Sequence, residues 1–382
     1  MKKYIPFFKP SFSAGEARAL GRVVRSGWLT TGRETALFEK EFKRFSKARH
    51  AVGVTSCTAG MHLCLLSLGI GRGDKVVTST LTFASTANVI IHVGAEPVFV
   101  DVNEDDFTFV MAGVEHHVAR GCRAVIPVHY AGAVCDLSKL QKLKKEYGVK
   151  IIQDAAHCIE GNWKGKSLSS YGDAVCFSFY ATKNITTGEG GMVTLNDPSL
   201  ADKIRIMSLH GLSCDAWKRY TKKGSAFYQV LMPGYKYNMF DLQAAIGREQ
   251  LKKIRHLYRK RKSADRLYRK LLSPVDGIRF QRLRKEGAHA HHLFVVDLNT
   301  KKSSIRREKL MDIFRKAGIG FSVHFTPLHM HRYYKEHFKL REKDFPVASR
   351  LARDIISLPF YPDITEKDIR RVVACVKQAY KR

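Results

Sequence analysis

The 382-residue chain has no CxxC pair, no internal repeat and no low-complexity tract. Its eight cysteines, at 57, 64, 122, 135, 158, 176, 214 and 375, are scattered. That spacing suits neither a zinc site nor a disulfide framework, so reduced thiols are expected. No stretch approaches the roughly 18 unbroken apolar residues of a membrane helix, so no membrane insertion is expected. The start, "MKKYIPFFKPSF", is interrupted by Pro6 and Pro10 and makes a poor signal peptide. Together these absences lead to the expectation of a soluble, cytoplasmic protein.

Acid is also scarce. There are 35 Asp and Glu against 66 Lys and Arg, a formal net charge of +31. The excess concentrates between Lys252 and Lys285, where fourteen basic residues face only Asp265 and Asp276. Such a run reads either as a nucleic-acid stripe or as the solvated face of a long helix. No recognised DNA-binding motif accompanies it, and no nucleic-acid partner is expected. A basic surface also favours anionic, phosphorylated substrates.

What is present is alternation. "HAVGV", "DKVVTS", "EPVFVDV", "RAVIPVHY", "VKIIQDAA", "DAVCFSF" and "GGMVTL" read as strands rich in Val, Ile and Phe. "AGMHLCLLSLGI", "ASTANVIIHVG" and "LSKLQKLKKEYG" between them read as helices. This pattern predicts an α/β domain with a mostly parallel sheet, whose ligands gather at the carboxyl ends of the strands. Residues 212–238 read as irregular and 241–272 as one long helix leading away. A smaller α+β unit follows, with strands "HHLFVVDL" and "GIGFSVHF" and helices "IRREKLMDIFRKAG" and "EKDIRRVVACVKQAY". The expected division is 1–240, including the N-terminal segment, and 241–382.

Chemistry-bearing residues fall at the expected strand ends. "FSFYATKNITTGEGG" sets Lys183 among small residues with one acid, Glu189. A surface lysine needs no such setting, whereas a lysine that must become an uncharged nucleophile does. Asp154, at the end of "IIQD", reads as a helix cap or as a fixed anion aimed at a cationic ring nitrogen, since a buried carboxylate needs a partner. Ser56, Cys57 and Thr58 stand at a strand-to-helix junction, which is an ordinary N-cap or an anion cradle. Ser178 adds a hydroxyl nearby. Phe83 reads as core, or as a face against an aromatic ligand. "HAHH", 289–292, reads as structural rather than metal-binding. A phosphate cradle, an aromatic lid, an aspartate and a lysine together are what pyridoxal phosphate demands.

On the motifs "DVNEDDFTF", "IPVHYAGAVCDL", "QDAAHCIEG", "FSFYATKNITTGEGG" and "PGYKYNMFDLQAAIG", the chain resembles the DegT/DnrJ/EryC1/StrS family of sugar aminotransferases, of the aspartate aminotransferase fold (fold type I of pyridoxal phosphate enzymes). "HYAG", "DAAH", "KNIT", "EGG" and "GYKYN" look most like the branch that aminates UDP-4-keto-arabinose for lipid A modification. The resemblance implies Lys183 as the Schiff-base lysine, Asp154 as the pyridine partner, and His157 near the ring hydroxyl, where much of the family has glutamine. It implies Thr58, Ala59 and Ser178 on the phosphate, joined by Asn238 from the other subunit of a homodimer with shared active sites. Phe83 would stack on the ring, where the arabinose branch tends to show tryptophan. His324 and Tyr333 would lie on the substrate side, and Asn184 and Glu189 would line the site. The substrate implied is a nucleotide-linked keto sugar, with glutamate as amino donor, for lipopolysaccharide or another surface polysaccharide. Amination of a cyclitol or other non-nucleotide ketone is the second enzyme reading. A nucleic-acid-binding regulator on the same fold is a third, disfavoured by the intact lysine, aspartate and phosphate set.

Overall fold

The computed structural model describes residues 3–213, 227–300 and 305–380. Seven strands form one sheet: β1 (His50–Val54), β2 (Lys75–Ser79), β3 (Glu96–Val100), β4 (Ala124–Ile126), β5 (Lys150–Asp154), β8 (Ala174–Ser178) and β9 (Gly191–Leu195). Their order is β1-β9-β8-β5-β4-β2-β3. β3, β2, β4, β5 and β8 run parallel, while β9 is antiparallel to both β1 and β8. Every one of the seven strands expected from the sequence is present. β4 is the shortest, because Pro127 has no N–H to extend the ladder. Two short strands between β5 and β8, β6 (Asn162–Trp163) and β7 (Lys166–Ser167), pair with β11 (Gly287–Ala288) in a small separate sheet.

Both faces of the large sheet are covered, and the period of two is visible in the packing. Val77, Val125, Ile151, Val175 and Phe177 point into one core. It is shared with α2 (Arg33–Ser46), α5 (Met111–Val118) and α6 (Leu137–Tyr147). Val76, Ala124, Ile126, Ile152 and Cys176 point into the other. That core takes in α3 (Cys57–Ser67), α4 (Ala84–His92) and α7 (Pro198–Ser208). α3 is apolar nearly all round and is buried on nearly every side, as such a helix must be.

The long helix is in fact two, α8 (Asp241–Lys252) and α9 (Ile254–Leu272). Lys253 leaves helical geometry at φ −102°, ψ 4°, and its ammonium is spent on Glu16 (2.5 Å) and the Ser11 carbonyl (2.8 Å). The break lets the two halves serve different cores. α8 lies on α2 and on α1 (Ala14–Ser26), whereas Ala264, Tyr268 and Leu272 of α9 join a C-terminal core. That core holds β10 (Arg279–Phe280), β12 (Phe294–Asp297) and β13 (Ile355–Leu358), an antiparallel three-stranded sheet, with α10 (Arg307–Ala317) and α13 (Glu366–Tyr380). Ile5 belongs to it as well. α11 (Arg332–His337) and α12 (Pro346–Asp354) pack instead toward Phe99 and Tyr130 of the large unit.

"GIGFSVHF" is not a strand. Ile319 makes a single bridge to Ile5, and Ser322 one to Ser357. The N-terminal segment takes the first half of this edge, and a Cβ on Gly320 would stand 2.4 Å from the Phe7 nitrogen. "HHLFVVDL" becomes extended only at Phe294, because His291 sits at φ +48° and turns the chain before the strand. Of the expected irregular segment, residues 227–238 make isolated bridges from Val230 to Leu212 and from Lys236 to Leu209. "KKGS" and Cys214 lie outside the described residues. Among the described cysteines six are buried and free.

The basic run is more than a solvated face. Eight of its fourteen cations pair with acids in the folded chain, among them Arg261 with Glu160, Lys260 with Asp363, and Arg284 with Asp106. Arg261 is fully buried.

Candidate active site

The site forms where β1, β2, β5 and β8 end. β5 delivers Asp154, whose backbone is fixed on both sides: its N–H donates to Pro127 O and its carbonyl accepts from His129 N–H. The carboxylate accepts from Thr86 Oγ1 (2.8 Å) and from the Ala156 N–H (3.1 Å), and the Cys57 thiol stands 3.8 Å away. Among the described residues it has no ion-pair partner. Burial pushes its pKa up, opposed by these donors and by the nearby Lys183. Burial likewise drives the Lys183 amine down from 10.5 to about 8, against the pull of Asp154 and the Cys57 sulfur. The shift makes the uncharged form that a nucleophile needs far more accessible than in an ordinary lysine. Burial, reinforced by the charge of Asp154, raises the Cys57 thiol well above its usual range and keeps it a thiol.

Ser56 caps α3, its hydroxyl accepting from the Ala59 N–H at 3.0 Å. The other first-turn amides, including that of Thr58, are the donors a helix start cannot satisfy internally. β9 begins against this turn: Gly191 pairs with Val54 on one side and Ser178 on the other. A Cβ on Gly191 would fall 2.4 Å from the Ser56 carbonyl carbon. Glycine is required there to keep the helix start, and Ser178 beside it, in place. Ser178 Oγ also accepts from the Tyr180 N–H (3.3 Å).

His157 packs its ring on His292, centroids 4.4 Å apart, and lies parallel to Phe325 at 5.9 Å. Phe325 in turn meets Phe83 at 5.8 Å. Phe83, just before α4, is 61% exposed, an unusual setting for a large aromatic that offers a planar ligand a face. His324 is held by Ser357 Oγ (2.9 Å), and burial with the Lys183 charge lowers it to about 4. Asp154, Lys183, His157, Phe83, Ser178, Thr58 and Ala59 therefore converge, with His324 at their margin.

One expected residue stands apart within the chain. Tyr333, on α11, is half exposed and stacks on His337. Asn238 is buried at the end of β1, where it bridges Val54 and donates to Thr31 Oγ1 at 2.6 Å. Glu189 is exposed, while Asn184 is buried and bonded to His292. Thr86 went unnoticed in the sequence, although it lies one helical turn beyond Phe83 in "TLTFAST". Phe325 and the bond from Asn184 to His292 gave no local signal, since both arise from chain segments over a hundred residues apart. The three histidines of "HAHH" go separate ways, His289 to Gln281, His291 to Asp265, and His292 to Asn184.

The donor set fits pyridoxal phosphate: a lowered amine, a buried carboxylate without an ion pair among the described residues, an open helix start and an exposed aromatic face. The sequence profile described as the DegT/DnrJ/EryC1/StrS aminotransferase family matches residues 10–377. The spore coat polysaccharide biosynthesis protein SpsC of Bacillus subtilis is 42% identical over 379 residues, 99% of this chain and 97% of its own. Among solved structures, Spr1654 of Streptococcus pneumoniae, assigned as a sugar aminotransferase and seen in its PLP form, superposes with TM-score 0.91 at 27% identity over 99% of both chains. The aminotransferase TlmJ of Streptoalloteichus hindustanus follows at 0.89 and 28%, over 98% of both. The molecule is a pyridoxal-phosphate-dependent aminotransferase. Within that class, the chain belongs to the DegT/DnrJ/EryC1/StrS aminotransferase family.

Proposed function

We propose that this enzyme is a sugar aminotransferase that transfers the amino group of glutamate to C4 of a nucleotide-linked 4-keto sugar, for a surface polysaccharide precursor. One observation carries the site assignment: Asp154 is a buried carboxylate with hydroxyl, amide and thiol neighbours but, among the described residues, no ion pair, near an amine lowered to about 8. A carboxylate so placed awaits a positive partner, which the protonated pyridine nitrogen supplies.

Bound there, the cofactor supplies an electron sink for the bond broken at the substrate carbon. Lys183 holds it covalently and, once freed, moves the proton as acid and base. Asp154 keeps the ring nitrogen protonated, and Thr86 and Ala156 hold the carboxylate in line. His157 would stand near the ring hydroxyl. Thr58, Ala59 and Ser178 take the phosphate, with Asn238 of a second subunit completing it in a homodimer. Phe83 covers the ring, and His324 faces the sugar. Residues 1–240 form the cofactor domain and 241–382 the smaller domain.

The polysaccharide pathway of SpsC and the assignment of Spr1654 support a sugar substrate. A net charge of +31 supports one carrying phosphate, since a basic protein attracts both nucleotide sugar and glutamate. A UDP-linked 4-keto pentose or 4-keto-6-deoxyhexose fits these terms. The test loads the amine form of the cofactor, offers candidate keto sugars and follows return of the aldehyde-form spectrum. Recovery with a UDP-4-keto sugar is expected. Recovery only with a free cyclic ketone would overturn the substrate assignment.

A further inference from the structure

Behind Lys183 runs a buried polar chain that the cofactor contacts do not require. Arg261, fully buried on α9, ion-pairs with Glu160 and donates to the Asn184 carbonyl at 3.1 Å. The Asn184 Nδ2 donates to Glu160 Oε2 (2.5 Å) and to the Ala290 carbonyl (2.9 Å). Its Oδ1 meets His292 Nδ1 at 2.8 Å. His292 packs on His157, and Lys183, Asn184, Arg261 and His292 line one small cavity.

The hydrogen-bond inventory leaves a single solution for the protons. The Ala290 carbonyl can only accept, so the Asn184 atom facing it is the NH₂. The opposite atom is then the carbonyl oxygen, which also only accepts. His292 must therefore carry its proton on Nδ1, leaving Nε2 as a bare lone pair. His157 is fixed the other way. Its Nδ1 lies 3.3 Å from the Ala131 N–H, a donor, so its proton is on Nε2. The two adjacent rings, tilted by 33°, are neutral and of opposite tautomer.

We propose that Asn184 is a positioning residue that locks His292 in the Nδ1–H tautomer, so that the two imidazoles beside Lys183 offer one N–H donor and one lone pair and add no charge to the amine. The groups facing His292 from every side work in the same sense. Burial disfavours its charged form most, and Lys183, His324, Arg261 and His289 add repulsion. His157 feels burial, Lys183, His292 and His324 alike. A proton on either ring would place a second cation against Lys183.

This inference rests on the reading of Lys183 as the cofactor-bearing amine, but its test does not. In protein labelled with ¹⁵N-histidine, long-range ¹H–¹⁵N spectra distinguish protonated from bare ring nitrogens, and His157→Gln and His292→Gln assign the signals. Both the cofactor-free and the loaded enzyme are measured, without substrate. His292 is expected as Nδ1–H and His157 as Nε2–H throughout. In Asn184→Ala, His292 is expected to lose its single tautomer while His157 keeps its own, and kcat is expected to fall about tenfold or more with little change in KM. Finding His292 as Nε2–H in the unaltered protein overturns the proposal, whether or not the variant folds. So does an unchanged His292 tautomer in Asn184→Ala.

Discussion

Thr86 donates from the first turn of α4 to Asp154 at the end of β5, Oγ1 to Oδ2 at 2.8 Å. Because that hydroxyl proton is committed to the carboxylate, the Thr82 hydroxyl 2.9 Å away must donate to Thr86 in turn. Two hydroxyls thus orient one carboxylate. In Thr86→Val the shape is kept and the donor lost, so Asp154 is harder to ionise. Activity is expected to fall by about tenfold, roughly 1.4 kcal/mol of barrier, in steady-state assays, with thermal stability near that of the parent.

Asp154→Asn separates function from stability. Asn can accept from the Ala156 N–H with its oxygen and donate to Thr86, whose hydroxyl then rotates. In the cofactor-free protein the raised Asp154 pKa means the folded state binds more protons than the unfolded one. The carboxyl therefore favours folding at acid pH and loses that advantage as pH rises through its folded pKa. Denaturant titrations of cofactor-free protein at neutral pH are expected to show the Asn variant at least as stable as the parent. Turnover of the loaded variant is expected to drop by several powers of ten, and a change under about threefold would remove Asp154 from the proposed role.

Lys183 runs with the opposite sign. An amine lowered to about 8 from 10.5 binds fewer protons folded than unfolded across that interval. Its contribution makes the cofactor-free protein gain stability as pH rises from about 8 toward 10.5. Lys183→Met lacks this gain, folds, and completes no turnover. Reductive methylation of Lys183 in the cofactor-free parent, followed against pH by mass spectrometry, is expected to have its midpoint near 8.

Much of this was legible in the chain. The seven strands and the placement of Lys183, Asp154 and Phe83 follow from short apolar runs rich in Val, Ile and Phe that end in polar or small residues, a pattern local to each segment. Thr86 was readable in principle, one turn from Phe83. What stayed hidden depends on distant partners. "GIGFSVHF" alternates like a strand, yet the segment near Ile5 occupies its edge. The break at Lys253 is set by Glu16 and Ser11, and "HAHH" gains meaning only through Gln281, Asp265 and Asn184.

Arg261→Met is expected to destabilise the fold by about 3–5 kcal/mol, because Glu160 would be left charged, buried and unpaired. Adding Glu160→Gln should recover part of that loss, since the amide can still accept from Asn184. Urea unfolding of both variants reads the difference.

Gly191→Ala is expected to weaken cofactor binding as well as the fold. The added methyl must displace either β9 or the start of α3, which β9 abuts. Equilibrium dialysis of pyridoxal phosphate, together with thermal melts, checks both.

The bridge from Ile5 to Ile319, reinforced by Arg371 donating to the Lys3 carbonyl, has a consequence for how the chain is made. On a ribosome, Ile5 emerges first but has no seat until α10, β13 and α13 have followed. The large sheet can assemble in the meantime, closing a loop of more than three hundred residues that the last helix then fastens. Seating Ile5 is therefore one of the most non-local steps in assembling this fold, and such steps are slow. Substitutions around Ile5 would accordingly act on the final docking step and leave the sheet's own formation untouched.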